Sequence, residues 1–211
     1  MKEQIHVSKI PGLSRVEHVD KHEMGGIMAD ITHAVYPHDQ VYGEYCPIQS
    51  YINCPPEKVF EYMANPLSLR EWTYSMRDFE MLSDDGLFRG KDKIGSNTDI
   101  YFKVVANKEA MVVDYHCAWD QGDELWMIYL NRIIPAELVL GKPGSVVFWQ
   151  NCCHPNYKKN PYPDLAPKGR PWVGDFWDFF YAGHTVELEN LKRILEHRHA
   201  RDLPMSPLAI Q

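Results

Sequence analysis

Residues 174–200 read GDFWDFFYAGHTVELENLKRILEHRHA, and this stretch decides the fold of the chain. Apolar side chains recur in it at steps of three, four or seven residues, which places them on one face of an α-helix. They are Trp177, Tyr181, Leu188, Leu191 and Leu195. The opposite face carries charged side chains that suit water, namely Asp178, Glu189, Lys192 and Arg193. The stretch therefore predicts a long amphipathic helix, aromatic in its first half and aliphatic in its second.

His184 interrupts the apolar face of this helix, between Tyr181 and Leu188. A helix that only packs on a core has little use for a histidine and a tyrosine on its buried side. An imidazole exchanges protons near neutral pH, which makes it a common acid or base. We therefore expect the first half of the helix to face a cavity and the second half to pack on a sheet.

The composition of the 211 residues is that of a soluble globular protein, with 45% hydrophobic and 24% charged residues. Lys and Arg total 22 against 29 for Asp and Glu, and no basic run occurs, which argues against nucleic acid as a partner. No apolar run reaches the ~20 residues of a membrane span. The five cysteines lack regular spacing and the amino terminus lacks an apolar core, so we expect reduced thiols and a cytoplasmic location.

Alternating apolar residues predict a series of strands across the middle of the chain. The predicted strands cover residues 45–53, 78–82, 98–105, 111–119, 125–134 and 145–153. After the first of them, PPEKVFEYM at 55–63 and LSLREW at 67–72 predict two short helices. The short turns between the later strands indicate an antiparallel meander.

The chain divides into one main domain with two terminal segments. Residues 1–40 keep no clear helix or strand period, which predicts an N-terminal extension lying over the domain or a neighbouring subunit. Residues 41–200 form the main domain and 201–211 a C-terminal tail. Five prolines fall within 154–174, and a connection of this length and stiffness is typical of a lid or binding loop.

Two stretches carry a resemblance to a known superfamily: YINCPPEKVFEYMANPLSLREWTYSMRDFEML at 51–82 and GHTVELENLKRILE at 183–196. With this order of elements the chain resembles the START/birch-pollen-allergen helix-grip superfamily, often called SRPBCC, over roughly residues 40–200. It looks most like the polyketide cyclase/dehydrase and lipid-transport branch. The resemblance implies an α+β helix-grip fold, in which a curved antiparallel sheet wraps around a long C-terminal helix, with two short helices after the first strand. It also implies an apolar cavity for a hydrophobic small molecule, while no catalytic set is shared by the whole superfamily.

Strand alternation then selects the side chains that we expect to line the cavity. The expected ligand-binding residues are Trp72, Tyr115, Trp119, Met127, Trp149, Asn151, Cys153, Trp177, Phe180 and Tyr181. The expected catalytic residues are His184 as acid or base, Tyr129 as donor to a developing enolate oxygen, and Asn131 as holder of a carbonyl group. No metal site and no cofactor are predicted. The competing interpretation is that these side chains simply fill a hydrogen-bonded core.

Three functional hypotheses follow. The first is a biosynthetic cyclase or dehydratase, a lyase or isomerase, acting on an aromatic or polyketide-like molecule. The second is a non-catalytic carrier or sensor of a hydrophobic ligand such as a lipid, a quinone or a sterol-like compound. The third is an accessory subunit that works through an apolar patch on the outer sheet face. That patch is predicted to contain Trp126, Ile128, Leu130, Val146 and Phe148, and it favours a homodimer or a clamped extension.

Overall fold

The computed structural model of the chain describes residues 6–13, 30, 44–94, 98–120, 124–165 and 172–208. Most of the predicted N-terminal extension lies outside these ranges, and so does its predicted role as a cover. In the described part of the chain, no helix has the length and apolar character needed to cross a membrane.

The described strands form a single antiparallel sheet. Their bounds are β1 Tyr45–Ile52, β2 Met76–Met81, β3 Phe88–Asp92, β4 Thr98–Asn107, β5 Val112–Trp119, β6 Met127–Pro135 and β7 Ser145–Cys152. Their order in the sheet is β1-β7-β6-β5-β4-β3-β2, so only the pairing of β1 with β7 joins strands distant in sequence. The antiparallel meander predicted from the sequence is confirmed.

Five α-helices accompany the sheet between residue 44 and the end of the described ranges. They are α1 Pro56–Ala64, α2 Leu69–Trp72, α3 Ala136–Leu140, α4 Pro155–Lys158 and α5 Trp177–Ala200. A 3-10 turn at Pro66–Ser68 leads into α2, and another at Val173–Phe176 leads into α5. The long helix α5 packs on β1 and on α2. The two short helices α1 and α2 follow the first strand, as predicted, so the helix-grip fold is confirmed. The segment 154–174, predicted as a loop, contains α4 and a 3-10 turn at Pro163–Leu165.

The sequence analysis missed β3, whose residues FRGKD show no apolar alternation. These residues form a strand because β3 is hydrogen-bonded to β2 on one side and to β4 on the other. Gly90 in its centre lies against the ring of Phe79, where an added Cβ would be 2.6 Å from the Cδ1 atom. A glycine is therefore required at position 90, although strand positions usually favour a larger side chain.

The buried side of α5 is wider than the predicted apolar stripe and includes polar residues. Besides the leucines, Glu187, Asn190 and Arg198 are buried. A cation in the last turn of a helix suits a solvent-exposed position, but only 1% of Arg198 is exposed. Its partner, Glu71 on α2, explains the difference.

Glu71 and Arg198 form a buried, bidentate ion pair between α2 and α5. Nη1 and Nη2 of Arg198 donate to the two carboxylate oxygens of Glu71 over 2.9 and 3.1 Å. The Tyr62 hydroxyl also donates to this carboxylate, at 2.7 Å, and so does the backbone N–H of Leu208, at 3.0 Å. Burial and the nearby Glu71 raise the pKa of Tyr62 well above its usual range, so the hydroxyl stays protonated and remains a donor. The carboxylate thus joins α1, α2, α5 and the tail.

The outer face of the sheet is apolar in part. Leu130 and Phe148 are 44% and 43% exposed, as their strand positions predict. Two members of the predicted patch are not on it. Trp126 precedes the first residue of β6, so strand alternation does not apply to it, and its indole is buried against Tyr157 and Trp172. Val146 is buried too, where its cross-strand neighbours are Tyr51 and Ile134.

The Glu71–Arg198 pair gives a first prediction. Arg198→Ala leaves a buried carboxylate without its counter-ion, so we expect the free energy of unfolding to fall by about 3–5 kcal/mol in urea titrations. The matched control is Arg193→Ala on the same helix, because Arg193 pairs with a half-exposed Glu189. That control is expected to change stability by less than about 1 kcal/mol. Equal losses in the two variants would contradict the anchoring role.

Candidate functional site

His184 lies among aromatic rings between α5 and the inner face of the sheet. Its imidazole is stacked on the indole of Trp149, with centroids 5.1 Å apart and an interplanar angle of 17°. The rings of Tyr129 and Phe180 lie 5.4 and 4.8 Å away. Only 9% of the residue is exposed. Neither ring nitrogen has a hydrogen-bond partner in the described structure, which is rare for a buried polar group.

The carboxylate of Glu187, one helical turn further along α5, lies beside this imidazole. Its Oε2 atom is 3.3 Å from Nδ1 of His184, a close approach without hydrogen-bond geometry. The other oxygen, Oε1, accepts a hydrogen bond from the backbone N–H of Tyr74 at 3.2 Å. The spacing of three residues brings the two side chains together on the helix. Sequence analysis missed Glu187, although this spacing from His184 was the available signal.

Other ionisable groups lie around Glu187, and their pKa values are raised. Burial raises the pKa of Tyr74 and Tyr129 well above the usual range, and the charge of Glu187 adds to both effects. Burial raises the pKa of Asp92 on β3 as well, and Glu187 again contributes, while hydrogen bonds to the carboxyl oppose the rise. The surroundings of the His184 imidazole are therefore aromatic, with acidic and phenolic groups nearby.

A segment of the predicted lid closes one end of this aromatic cluster. Tyr157 on α4 is buried, and its ring lies 5.0 Å from that of Trp177 and 5.3 Å from that of Phe180. The segment packs so closely on the start of α5 that an added Cβ on Gly174 would lie 1.6 Å from the carbonyl oxygen of Tyr157. Sequence analysis missed Tyr157, because a Pro-rich connection gives no periodic signal.

Several expected ligand-binding side chains are engaged with the protein itself. The Tyr115 hydroxyl donates to the backbone carbonyl of Met63 at 3.0 Å. Asn151 is fully buried, accepts from Nε1 of Trp149 at 3.1 Å and donates to the carbonyl of Ile128 at 3.2 Å. Trp72 packs against both Tyr115 and Trp149. These groups support the walls of the site, and their polar atoms are already used.

The remaining expected residues lie in or against one apolar cluster. Phe180, Trp177 and the half-buried Tyr181 lie in the first turns of α5 and belong to the same apolar cluster as Met127. Trp119 belongs to this cluster as well, and its ring contacts Trp172 and Phe176. Cys153 is half-buried just after β7, packs against the cluster, and its backbone N–H donates to the carbonyl of Glu44. Of the expected residues, Trp149, Phe180 and Tyr129 have rings in contact with His184.

Asn131 is buried on the inner face of β6, next to Tyr129. Its Nδ2 atom donates to the carbonyl of Tyr129 at 3.2 Å, while its Oδ1 atom has no partner in the described structure. The backbone N–H of Asn131 donates to the Asp114 side chain at 3.0 Å. A surface pocket of about 320 Å³ lies in this region, with exposed Leu130 and Phe148 in its wall. Asn131 and Trp149 line it as well.

Comparison with solved structures agrees with this architecture. The Zhui aromatase/cyclase from Streptomyces sp. R1128 is 12% identical with a TM-score of 0.54, over 73% of this chain and 94% of that chain. A protein from Thermus thermophilus is 14% identical with a TM-score of 0.50, over 72% and 98% of the two chains. A START superfamily protein from Mycobacterium smegmatis is 14% identical with a TM-score of 0.48, over 75% and 99%. The likeness to the first two structures shows that this chain has a helix-grip fold.

The family itself is also established. Residues 44–202 match the family model described as "Domain of unknown function (DUF8713)", and the chain belongs to that family. A search of curated proteins gives no match. At identities this low the structural likeness shows the fold alone.

The thiols give a second prediction. Burial raises the pKa of Cys46 to about 12 and that of Cys54 to about 11, and it raises the pKa of Cys117 further, so these three stay protonated near pH 8. Cys152 is the exposed thiol of the five. We expect one rapid reaction with a disulfide reagent in native protein, lost in Cys152→Ser, then slower labelling of Cys153. Rapid labelling of Cys46, Cys54 or Cys117 before unfolding would contradict this burial pattern.

Proposed function

We propose that the chain binds a hydrophobic aromatic or polyketide-like molecule between α5 and the sheet and catalyses its cyclisation or dehydration. The observation that carries the proposal is the environment of His184, which is nine-tenths buried, lies among three aromatic rings and has two ring nitrogens without hydrogen-bond partners. A core histidine normally satisfies at least one nitrogen. An unsatisfied imidazole in an aromatic surrounding has the composition of a small-molecule site.

In this proposal the segment around α4 is a lid. Tyr157 packs on Trp177 and Phe180, the residues that precede His184 on the helix. Outward movement of α4 would remove that ring from the cluster and open a path to the imidazole. The ligand then occupies the space that Tyr157 leaves and stacks on the remaining aromatic rings.

The chemistry is proton transfer by His184 to and from a carbonyl compound. The imidazole takes a proton from the carbon between two carbonyl groups, and the resulting enolate attacks a second carbonyl carbon of the same molecule, forming the new C–C bond. The imidazolium returns the proton to the alkoxide oxygen, and loss of that hydroxyl with a neighbouring hydrogen releases water. The Tyr129 hydroxyl, kept protonated by burial, which raises its pKa, donates to the enolate oxygen.

The same site without proton transfer describes a carrier, and one observation favours this second function. The polar atoms of Tyr115 and Asn151 are bound within the protein, which leaves few groups besides His184 and Tyr129 for chemistry. Carrier and enzyme share the binding site, and they differ only in what His184 does.

The third prediction separates them. We expect wild-type protein to accelerate water loss from a linear poly-β-ketone chain presented as an N-acetylcysteamine thioester, followed by chromatography and mass spectrometry. His184→Ala should lower the rate by about 100-fold or more while calorimetric binding of 2-naphthol persists. His199→Ala, on the same helix, is the control and should leave the rate unchanged.

Two other outcomes decide against parts of the proposal. Binding of 2-naphthol without any turnover by wild-type protein would favour the carrier. Failure of wild-type protein to bind 2-naphthol, or full turnover by His184→Ala, would contradict the assignment of the site.

A further inference from the structure

The two nitrogens of His184 lie in different environments, and the difference bears on what a ligand can offer. Nδ1 is 3.3 Å from the carboxylate of Glu187. A carboxylate only accepts hydrogen bonds, so the neutral imidazole is most stable with its proton on Nδ1. Nε2 is then a bare acceptor. The contact lacks hydrogen-bond geometry, so the carboxylate favours this tautomer through its negative charge beside the N–H group.

Glu187 is itself held in place for this role. Its Oε1 atom accepts from the backbone N–H of Tyr74, which leaves Oε2 as the atom beside the imidazole. The Tyr74 hydroxyl in turn lies against the helix at Gly183, where an added Cβ would be 2.8 Å from the oxygen. Tyr74 therefore contacts α5 at two places, through its backbone N–H at Glu187 and through its hydroxyl at Gly183.

The ionisable group closest to the imidazole is the Glu187 carboxylate. Among the described residues, no lysine or arginine forms an ion pair with Glu187. The carboxyl group of Asp92 lies near enough for Glu187 to raise its pKa. An anionic ligand would therefore meet an uncompensated negative charge in a poorly solvated site, which is costly.

We infer that the ligand of this site is an aromatic molecule that presents a hydroxyl or amine hydrogen-bond donor to Nε2 of His184, and that it is not a carboxylate. Glu187 is the positioning residue that sets this selectivity. The inference rests on the proposed function, since it concerns the same site, and it adds the chemical class of the ligand. In the proposed reaction the same bare Nε2 atom takes the carbon-bound proton of the substrate.

Three probes of similar size test the inference by calorimetry at neutral pH: 2-naphthol, which donates, 2-methoxynaphthalene, which only accepts, and the anion 2-naphthoate. We expect wild-type protein to bind 2-naphthol about tenfold more tightly than 2-methoxynaphthalene, as a single hydrogen bond to a buried acceptor provides. 2-Naphthoate should bind most weakly. Tighter or equal binding of 2-naphthoate or 2-methoxynaphthalene would overturn the inference.

Glu187→Gln is the decisive variant. Its amide oxygen can still accept from the Tyr74 backbone, while its amide nitrogen donates to Nδ1 and moves the imidazole proton to Nε2. The preference for 2-naphthol over 2-methoxynaphthalene should then disappear or reverse. Glu189→Gln removes a half-exposed carboxylate from the same helix and should keep the wild-type preference. An unchanged preference in Glu187→Gln, with the fold intact by circular dichroism, would overturn the role of Glu187.

Failure of this inference is distinguishable from failure of the proposed function. If the three probes bind equally well, the site binds aromatic molecules and only the selectivity argument is wrong. If none of the three binds to wild-type protein, the proposed function is contradicted, and the inference with it.

Discussion

The buried ion pair between Glu71 and Arg198 determines where α5 crosses the sheet. Two charges removed from water are tolerated only with near-complete hydrogen bonding, and Glu71 receives four hydrogen bonds, from Tyr62, Leu208 and the two Arg198 nitrogens. Fourteen residues separate Arg198 from His184, or roughly 21 Å along a helix. Fixing one end of α5 against α2 therefore positions the imidazole at the other end. α5 thus carries the buried ion pair near its C-terminal end and the His184 imidazole in its N-terminal half.

This division explains the composition of the helix. The C-terminal half carries leucines and an isoleucine that fill the core. The buried Arg198 in this half is hydrogen-bonded to Glu71. The N-terminal half carries aromatic rings, and the polar atoms of His184 are left without hydrogen bonds. The proposed site thus lies in the half of α5 where the buried His184 imidazole is surrounded by aromatic rings.

Sequence periodicity is sufficient for six of the seven described strands, the long helix and the burial of His184, because each depends on which faces of regular elements are apolar. It is insufficient where an interaction joins distant residues. Arg198 has the helix position of a surface cation, and only the location of Glu71 shows that it is buried. The prediction for Trp126 is wrong because alternation was extended one residue beyond the strand. The hydrogen bonds of Asn151 and Tyr115 to backbone carbonyls are equally hidden, since partners distant in sequence leave no mark on sequence spacing.

Tyr157 has a consequence for how tightly any molecule can be held. Its ring already fills part of the aromatic cluster, so in the proposed function Tyr157 competes with the ligand for this space. The observed affinity of the ligand would then be its intrinsic affinity multiplied by the fraction of molecules in which the Tyr157 ring is displaced. Because Gly174 leaves no room for a side chain against the Tyr157 carbonyl, a larger residue at 174 would shift α4 and change that fraction. Evolution can thus adjust ligand retention by loosening this contact, without altering a single residue that touches the ligand.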